Sequence, residues 1–164
     1  MAGFTGTLTA QVVALLTNTT TGVNARITSI EENDSTLKAV GVRSIATQNV
    51  SPEIAEISGQ ALYPSLLVYC DNVQNLMREK SRDFSGKINL VVEIRHTQET
   101  LKQIESNTEL YVDAVCALLS DARGAWGDGA SYSGAYRVDY EPVAFGGKNF
   151  LQTAKVNFAL DLSE

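Results

Sequence analysis

The sequence predicts an α+β fold in which an antiparallel sheet of four strands, or slightly more, carries helices packed on one face. Three features indicate this fold: two alternating apolar segments between residues 61 and 96, a helical apolar pattern over about 98–121, and two alternating segments near the chain end. The predicted order is strand, strand, helix, strand, strand, after an α-rich N-terminal part. Because each predicted strand has one apolar face, we expect the opposite face to meet water or a partner.

The length and composition indicate one globular domain. The 164 residues fit a single domain, 1–164, with a helical or irregular N-terminal part (1–60) and an α/β sandwich core (61–163). A domain of this size buries roughly two thirds of the surface of its unfolded chain, which is enough for a core that needs no disulfides or metal ions. Hydrophobic residues make up 44% and charged residues 20%, which is typical of a folded chain.

The N-terminal part predicts two helices. In TLTAQVVALLTN, the apolar residues at helical spacing are Leu8, Val12, Leu15 and Leu16. The segment TTTGVNARITSIEEND repeats this spacing and favours a second short helix, whose apolar residues are Val23, Ile27 and Ile30. Residues 35–60 show no clear period, and we interpret them as a short strand or two within a long loop.

Two strands are predicted next, with a charged spacer between them. LYPSLLVYC alternates loosely and carries Pro64 near its start, where a strand tolerates proline. KINLVVEIRH alternates cleanly, and its apolar face consists of Ile88, Leu90, Val92 and Ile94. The spacer, residues 71–84, is too long for a tight hairpin turn, so we expect a short helix or an extended arm.

A long helix is predicted over about 98–121, with Thr97 as its N-cap. Its expected buried residues are Leu101, Ile104, Val115 and Leu119. The helix should end near Gly124, where RGAWGDGASYSGA predicts a glycine-rich loop. Two alternating segments, AYRVDYEPV and NFLQTAKVNFALDLS, predict the closing strands, with a turn at FGGKNF.

The sequence shows no pattern typical of catalysis. The only histidine, His96, falls at the end of a predicted strand without a Ser/His/Asp or Cys/His arrangement, so we expect a structural role. FGGKNF lacks the spacing of a phosphate-binding loop and lies between strands rather than ahead of a helix. We therefore predict that the chain is not an enzyme and has no catalytic residues and no cofactor.

Metal binding is not predicted either. The acidic run Glu31, Glu32 and Asp34 matches no EF-hand spacing, and we interpret it as a solvated helix end. Cys70 and Cys116 lie in apolar patterns, which indicates small buried hydrophobic residues, although their spacing leaves a disulfide open.

Two segments supply candidate interaction residues. The spacer carries Arg78, Lys80 and Arg82, whose alternative role is that of a solvated loop. The glycine-rich loop carries Trp126 and Tyr132, residue types that often anchor interfaces, and the alternative is that Trp126 plugs the end of the core.

The net charge of −6 argues against a surface that grips nucleic acid or anionic lipid. No stretch approaches the ~20 apolar residues of a membrane span, and the N-terminal residues do not match a secretory signal. We expect no membrane association, and a protein that stays in the cytoplasm or leaves the cell by lysis or inside a particle.

Several phrases carry a family resemblance: YPSLLVYCDNVQN, FSGKINLVVEI, LYVDAV and GGKNFLQTAKVNFALDLS, within residues 61–163. In this order they resemble small structural proteins of tailed bacteriophages, and most closely the neck proteins of the tail-terminator, or tail-completion, type. The N-terminal third departs from that pattern.

The resemblance implies a virion protein that forms a homohexameric ring at the head-proximal end of the tail and joins the tail to the neck. It implies contact with other tail and neck proteins, synthesis in the host cytoplasm, and DNA that passes through without sequence-specific binding. Six copies would carry 6 × (−6) = −36 charges. We expect the spacer 71–84 and the loop around Trp126 to form the contacts between subunits.

Other functional classes remain as alternatives. Within the virion, the chain fits a head–tail adaptor or a tail-tube subunit. Outside it, the alternatives are a small cytoplasmic enzyme whose site forms at a subunit interface, and a regulatory binding module. Rings or short tubes favour the structural classes, whereas a compact monomer with a deep polar pocket favours an enzyme.

Overall fold

A computed structural model describes residues 3–31 and 37–164. In this part of the chain there are seven strands, four α-helices and a short 3-10 turn at Val42–Ser44. The elements in chain order are α1 (Phe4–Thr17), α2 (Val23–Glu31), β1 (Ile45–Thr47), α3 (Pro52–Ile57), β2 (Ser65–Asn75), β3 (Ser85–Gln98), α4 (Ile104–Asp121), β4 (Gly124–Gly127), β5 (Ala130–Tyr140), β6 (Ala144–Gly146) and β7 (Asn149–Ser163).

The strands form one curled, mixed sheet in the order β1-β2-β3-β7-β5-β4, with β6 paired to the start of β7. β1 runs parallel to β2, and the other neighbouring strands are antiparallel. The fold is α+β as predicted, but the prediction of a four-stranded antiparallel sheet is wrong. The additional strands β1, β4 and β6 have only three or four residues, too few to show an alternating apolar pattern.

Helices lie on both faces of the sheet, which corrects the prediction that they pack on one. The core face is covered by α1, which contacts β1 and β2, and by α4, which contacts β3 and β7, and α2 packs against both helices in the same core. α3 lies against the opposite face, since Arg95 of β3 donates a hydrogen bond to the Val50 carbonyl just ahead of that helix. α3 has only six residues, so its proline at the first helical position is its main sequence signal.

β2 and β3 form a long hairpin that takes up part of the predicted spacer. β2 continues to Asn75, which pairs with Gly86, so only residues 76–84 form the connecting loop. The extended alternative for the spacer is therefore correct for 71–75, and the short helix is wrong. A bulge at Asp71 shifts the register of the two strands.

α4 begins at Ile104 rather than near residue 98. β3 continues through Thr97 and Gln98, which pair with β7, so the predicted N-cap is a strand residue. Of the predicted buried positions, Ile104, Val115 and Leu119 are at most 1% exposed. Leu101 is 60% exposed, because it lies in the turn ahead of the helix.

The predicted glycine-rich loop is instead a β-hairpin. β4 and β5 flank a two-residue turn, Asp128–Gly129, in which both residues have positive φ, 48° and 76°. This is the backbone of a type I′ turn, for which Asp-Gly is a preferred sequence. Backbone pairing with a neighbouring strand therefore orders this segment.

The two predicted N-terminal helices are confirmed as α1 and α2. Their buried apolar residues are Leu8, Val12, Leu16, Val23 and Ile27, and they join one core with the sheet and α4. Residues 37–60 contain the strand β1, as expected, and also α3. The side chains of the acidic run Glu31, Glu32 and Asp34 lie outside the described residues.

The two closing strands are confirmed as β5 and β7. Of the six apolar residues expected on one face of β7, Phe150 is partly buried and five are buried: Ala154, Val156, Phe158, Leu160 and Leu162. FGGKNF turns at Gly147, as predicted, between β6 and β7. Cys116 is buried, Cys70 is partly buried, and both are free thiols rather than a disulfide.

Candidate assembly surface

The three basic candidates lie in the loop between β2 and β3 and do not converge. Arg78 forms an ion pair of 2.9 Å with Asp161 of β7, and Arg82 lies 3.6 Å from Glu79. Lys80 is exposed in the same loop. Exposed ion pairs of this kind contribute about 0–1 kcal/mol to stability. The loop therefore presents mixed charge to solvent, with three cations and two carboxylates in residues 76–84.

Trp126 and Tyr132 belong to the margin of the core. The Trp126 ring makes an edge contact with Tyr132 at 6.0 Å between centroids, and its indole N–H donates to the Ala122 carbonyl at 2.8 Å. Gln11 of α1 donates to the Trp126 carbonyl at 3.1 Å. Tyr132 is 2% exposed, and burial raises its pKa to about 12. These contacts support the interpretation that Trp126 plugs the end of the core.

A groove of about 640 Å³ brings two of the candidates together. It lies between the first turns of α1, the β4–β5 turn and the end of β7, and its lining includes Arg82 and Trp126. The lining does not include Arg78, Lys80 or Tyr132. Only part of the predicted set therefore shares one surface.

A buried charged pair is the main polar feature that sequence reasoning missed. The side chains of Glu93 and Arg95 are 7% and 3% exposed, and they lie 3.3 Å apart on the face opposite the core. Tyr63 above them donates to Glu56 of α3 at 2.7 Å, and burial together with this hydrogen bond raises the Tyr63 pKa. The signal in the sequence was two opposite charges, two positions apart, directly after the apolar run Leu90–Val92.

This polar cluster fixes the 48–63 segment on the sheet. Arg95 reaches the Val50 carbonyl, and Tyr63 holds α3 through Glu56. Burial raises the pKa of Tyr69 on the neighbouring strand, and the charge of Glu93 adds to this effect. The arrangement therefore attaches a helix to the second face of the sheet.

His96 has the structural position predicted for it. It is 6% exposed, and its ring lies 5.2 Å from the Tyr111 ring of α4. Burial lowers the pKa of this imidazole, and Lys38 adds to the effect. The neutral form is therefore favoured inside the core.

Beyond α3, the sheet face opposite the core is open, and we call this area the polar face. It carries amide and hydroxyl side chains from four strands: Asn72, Gln74, Asn89, Ser131 and Asn157. Asn89 donates to Asn72 at 2.5 Å, and Asn157 donates to Asp139 at 2.8 Å. The same face carries Lys87 and charged side chains of three ion pairs: Arg78–Asp161, Arg137–Asp139 and Lys155–Glu141.

A groove of about 360 Å³ crosses the polar face and is lined by residues from β2, β3, β7 and β5, among them Asn72, Asn89, Asn157 and Ala135. The strands that line this groove belong to a curled sheet.

Two long strand edges are open, and they lie on opposite sides of the sheet. β4 covers the outer side of β5 only as far as Tyr132, so in the described part of the chain residues 133–140 have no strand on that outer side. We call this segment the β5 edge. β1 covers β2 only over 66–68, which leaves the β2 edge, residues 69–75.

Comparison with protein-family models and with curated proteins found no match for this chain. In the described ranges, 3–31 and 37–164, no helix is long and apolar enough to cross a membrane. The same ranges contain no group of three or more His, Cys, Asp or Glu residues suited to hold a metal ion.

Proposed function

We propose that the protein is a structural component of a bacteriophage tail, namely the tail terminator that forms a ring at the head-proximal end. In this role it is not an enzyme, it contacts other tail and neck proteins, and it resides in the virion after synthesis in the host cytoplasm. The family resemblance of residues 61–163 supports this proposal. The observation that carries it is a curled sheet with an open polar face and with open strand edges on both sides.

The chemistry of the polar face suits a channel through which DNA slides. Tight DNA binding depends on Lys and Arg that neutralise phosphates and release counterions. Here the face carries amides and hydroxyls together with Lys87, while Arg78, Arg137 and Lys155 are each paired with a carboxylate. Such a face contacts the duplex through water without holding it. The net charge of −6 per copy adds a weak general repulsion.

The rest of the architecture supports a ring subunit. Three helices lie on the core side of the sheet, so the polar face is free to point towards a common axis. Copies that join edge to edge continue the curl of the sheet around that axis. A heterologous contact of this type closes into a ring when the rotation per subunit divides a full turn.

The test is to purify the full chain, measure its mass by light scattering after gel filtration, and image it by negative stain. We expect rings with a central hole and a mass near six copies of 17.7 kDa. Long tubes would instead indicate a tail-tube subunit. A monomer at all concentrations, or a ring without a hole, would contradict the proposal.

A second measurement tests the channel chemistry. Rings should not retard a short DNA duplex in a gel at about 0.15 M salt. As a matched variant, Asn89→Lys with Asn157→Lys adds two cations per copy to the inner strands of the polar face and should produce retardation. If the unmodified ring already binds the duplex tightly, this face does not have the proposed role.

A further inference from the structure

We infer that neighbouring copies join by antiparallel pairing of the β5 edge (133–140) of one copy with the β2 edge (69–75) of the next. The inference adds the contact between subunits to the proposed function. That the joined copies close into a ring rests on the proposed function. It moves the main contact away from the loop 76–84 and the β4–β5 turn. The partner is therefore a second copy of this chain.

Both edges present the backbone groups that a new strand requires. An edge strand exposes a row of N–H and C=O groups that pair readily with another chain. The β5 edge, SGAYRVDY, and the β2 edge, YCDNVQN, are similar in length and contain no proline that would remove a donor. On their inner sides, β2 pairs with β3 and β5 pairs with β7, so only the outer sides are open.

The strand directions make this pairing antiparallel. β2, β3, β7 and β5 are adjacent, and each runs antiparallel to the one before it. β5 is thus antiparallel to β2 within one copy. A rotated copy that continues the sheet places its β2 beside β5 in the same relation, so the long strands alternate in direction around the whole ring.

Exposed apolar side chains lie on the same face of both edges. On the β5 edge, Tyr136 and Tyr140 are 44% and 47% exposed on the helix side of the sheet. On the β2 edge, Val73 is 41% exposed and faces the same side, since it pairs with Ile88 beyond the bulge. Pairing of the two edges brings these side chains together and removes their apolar surface from water.

The bulge at Asp71 makes the β2 edge selective. A bulge bends and twists a strand, so a flat strand from an unrelated chain pairs poorly with it. A partner strand that has its own irregularity fits better. The β5 edge begins at such a place, because the register of β5 against β7 shifts between Tyr132 and Tyr136.

Disulfide trapping tests this joint, since Cys70 is a free, partly exposed thiol on the β2 edge. The buried Cys116 is first replaced by Ala, because it lies beside Tyr136 and would otherwise compete. Tyr136→Cys and Tyr140→Cys are then made separately and oxidised. We expect at least one of them to give a ladder of covalent multiples of 17.7 kDa on a non-reducing gel. Ser120→Cys, on exposed α4 surface, is the matched control and should give no ladder.

A mixing experiment identifies the type of joint. Copies with only Cys70 are mixed with copies that carry Tyr140→Cys and Cys70→Ser, and we expect covalent dimers only in the mixture. If the Tyr140→Cys copies link to each other alone, the joint is a symmetric β5–β5 contact and the inference is overturned.

The outcomes separate this inference from the proposed function. Rings that form without any link between Cys70 and the β5 edge overturn the joint and leave the ring intact. Efficient links in open filaments support the joint and overturn the ring. Monomers without links overturn both.

Discussion

At the scale of single residues, Glu93 and Arg95 show the cost of charge inside this fold. Each is almost fully buried, and each is tolerable because the other lies 3.3 Å away. Removing one partner of a buried pair typically costs about 3–5 kcal/mol, whereas replacing both with apolar residues is often close to neutral. The pair therefore contributes more to the placement of the 48–63 segment than to net stability.

We predict that Arg95→Met strongly destabilises the protein, by about 3–5 kcal/mol, because Glu93 stays buried without its partner. The double variant Glu93→Leu/Arg95→Met should recover a large part of this loss. Urea unfolding at fixed protein concentration measures both. The control is Arg137→Met, since the Arg137–Asp139 pair is exposed and its loss should cost under about 1 kcal/mol. Equal losses in the single and double variants would contradict the prediction.

His96 gives a second prediction at this scale. Burial lowers its pKa in the folded state, while the unfolded chain takes up a proton near pH ~6.5. Below that pH the unfolded state binds more protons, so stability should fall as the pH drops and level off below the folded pKa. His96→Gln should remove this component from urea midpoints measured between about pH 7.5 and 5. An unchanged pH slope in the variant would show that other groups cause it.

At the scale of elements, backbone pairing decides where strands and helices end. Thr97 and Glu99 form a plausible helix start, but Thr97 and Gln98 find partners on β7 and remain in β3. The two-residue turn after β4 also serves backbone pairing. Asp128 and Gly129 adopt positive φ, and this brings β5 back against β4. Long-range hydrogen bonds thus override a local capping signal and support a local turn signal.

The β4–β5 turn should be sensitive to a single methyl group. In Gly129→Ala the added Cβ would lie 2.2 Å from the Ser163 carbonyl oxygen, in addition to its unfavourable positive φ. Gly59→Ala is the matched control, since Gly59 has φ of +70° and open space around it. We expect about 1–2 kcal/mol for Gly59→Ala, from the left-handed backbone alone, and a larger loss for Gly129→Ala. Thermal unfolding compares the two variants. Equal shifts in melting temperature would mean that the end of β7 moves to accommodate the added methyl group at little cost.

At the scale of the whole molecule, the sheet separates two environments. One face builds the core with α1, α2 and α4, and the other carries α3 at one end and the polar face at the other. The edges extend beyond the short strands that cover them. The shape is thus that of a curved wall segment with two ends suited to further copies.

This arrangement predicts that the tip of the β2–β3 loop is dispensable for assembly. Deleting residues 79–82 and closing the gap with Asn-Gly keeps both strands and the Arg78–Asp161 pair. The variant should fold and still form rings, because the joint uses strand edges. Gel filtration with light scattering measures the result against the unmodified chain. If the variant folds but stays monomeric, the loop rather than the strand edges forms the contact between subunits.

The sequence by itself determined the parts of this protein whose pattern is local. α1 and α2 follow from apolar residues at helical spacing, and β3 and β7 follow from clean alternation on the core face. The body of α4 also follows from its period, although Leu101 does not belong to it. In these segments each residue's position depends mainly on its near neighbours, so periodicity is sufficient.

The tertiary structure decided what depends on distant partners. The three short strands are held by hydrogen bonds to β2, β5 and β7, and of these only β1 was expected, without bounds. The burial of Arg95 depends on the 48–63 segment crossing the second face, and the groove beside Trp126 depends on α1 reaching the end of β7. The open edges, too, are defined by where a neighbouring strand stops. Pairing between remote segments is a property of the folded chain, and for that reason the surface best suited to assembly was not legible in the sequence.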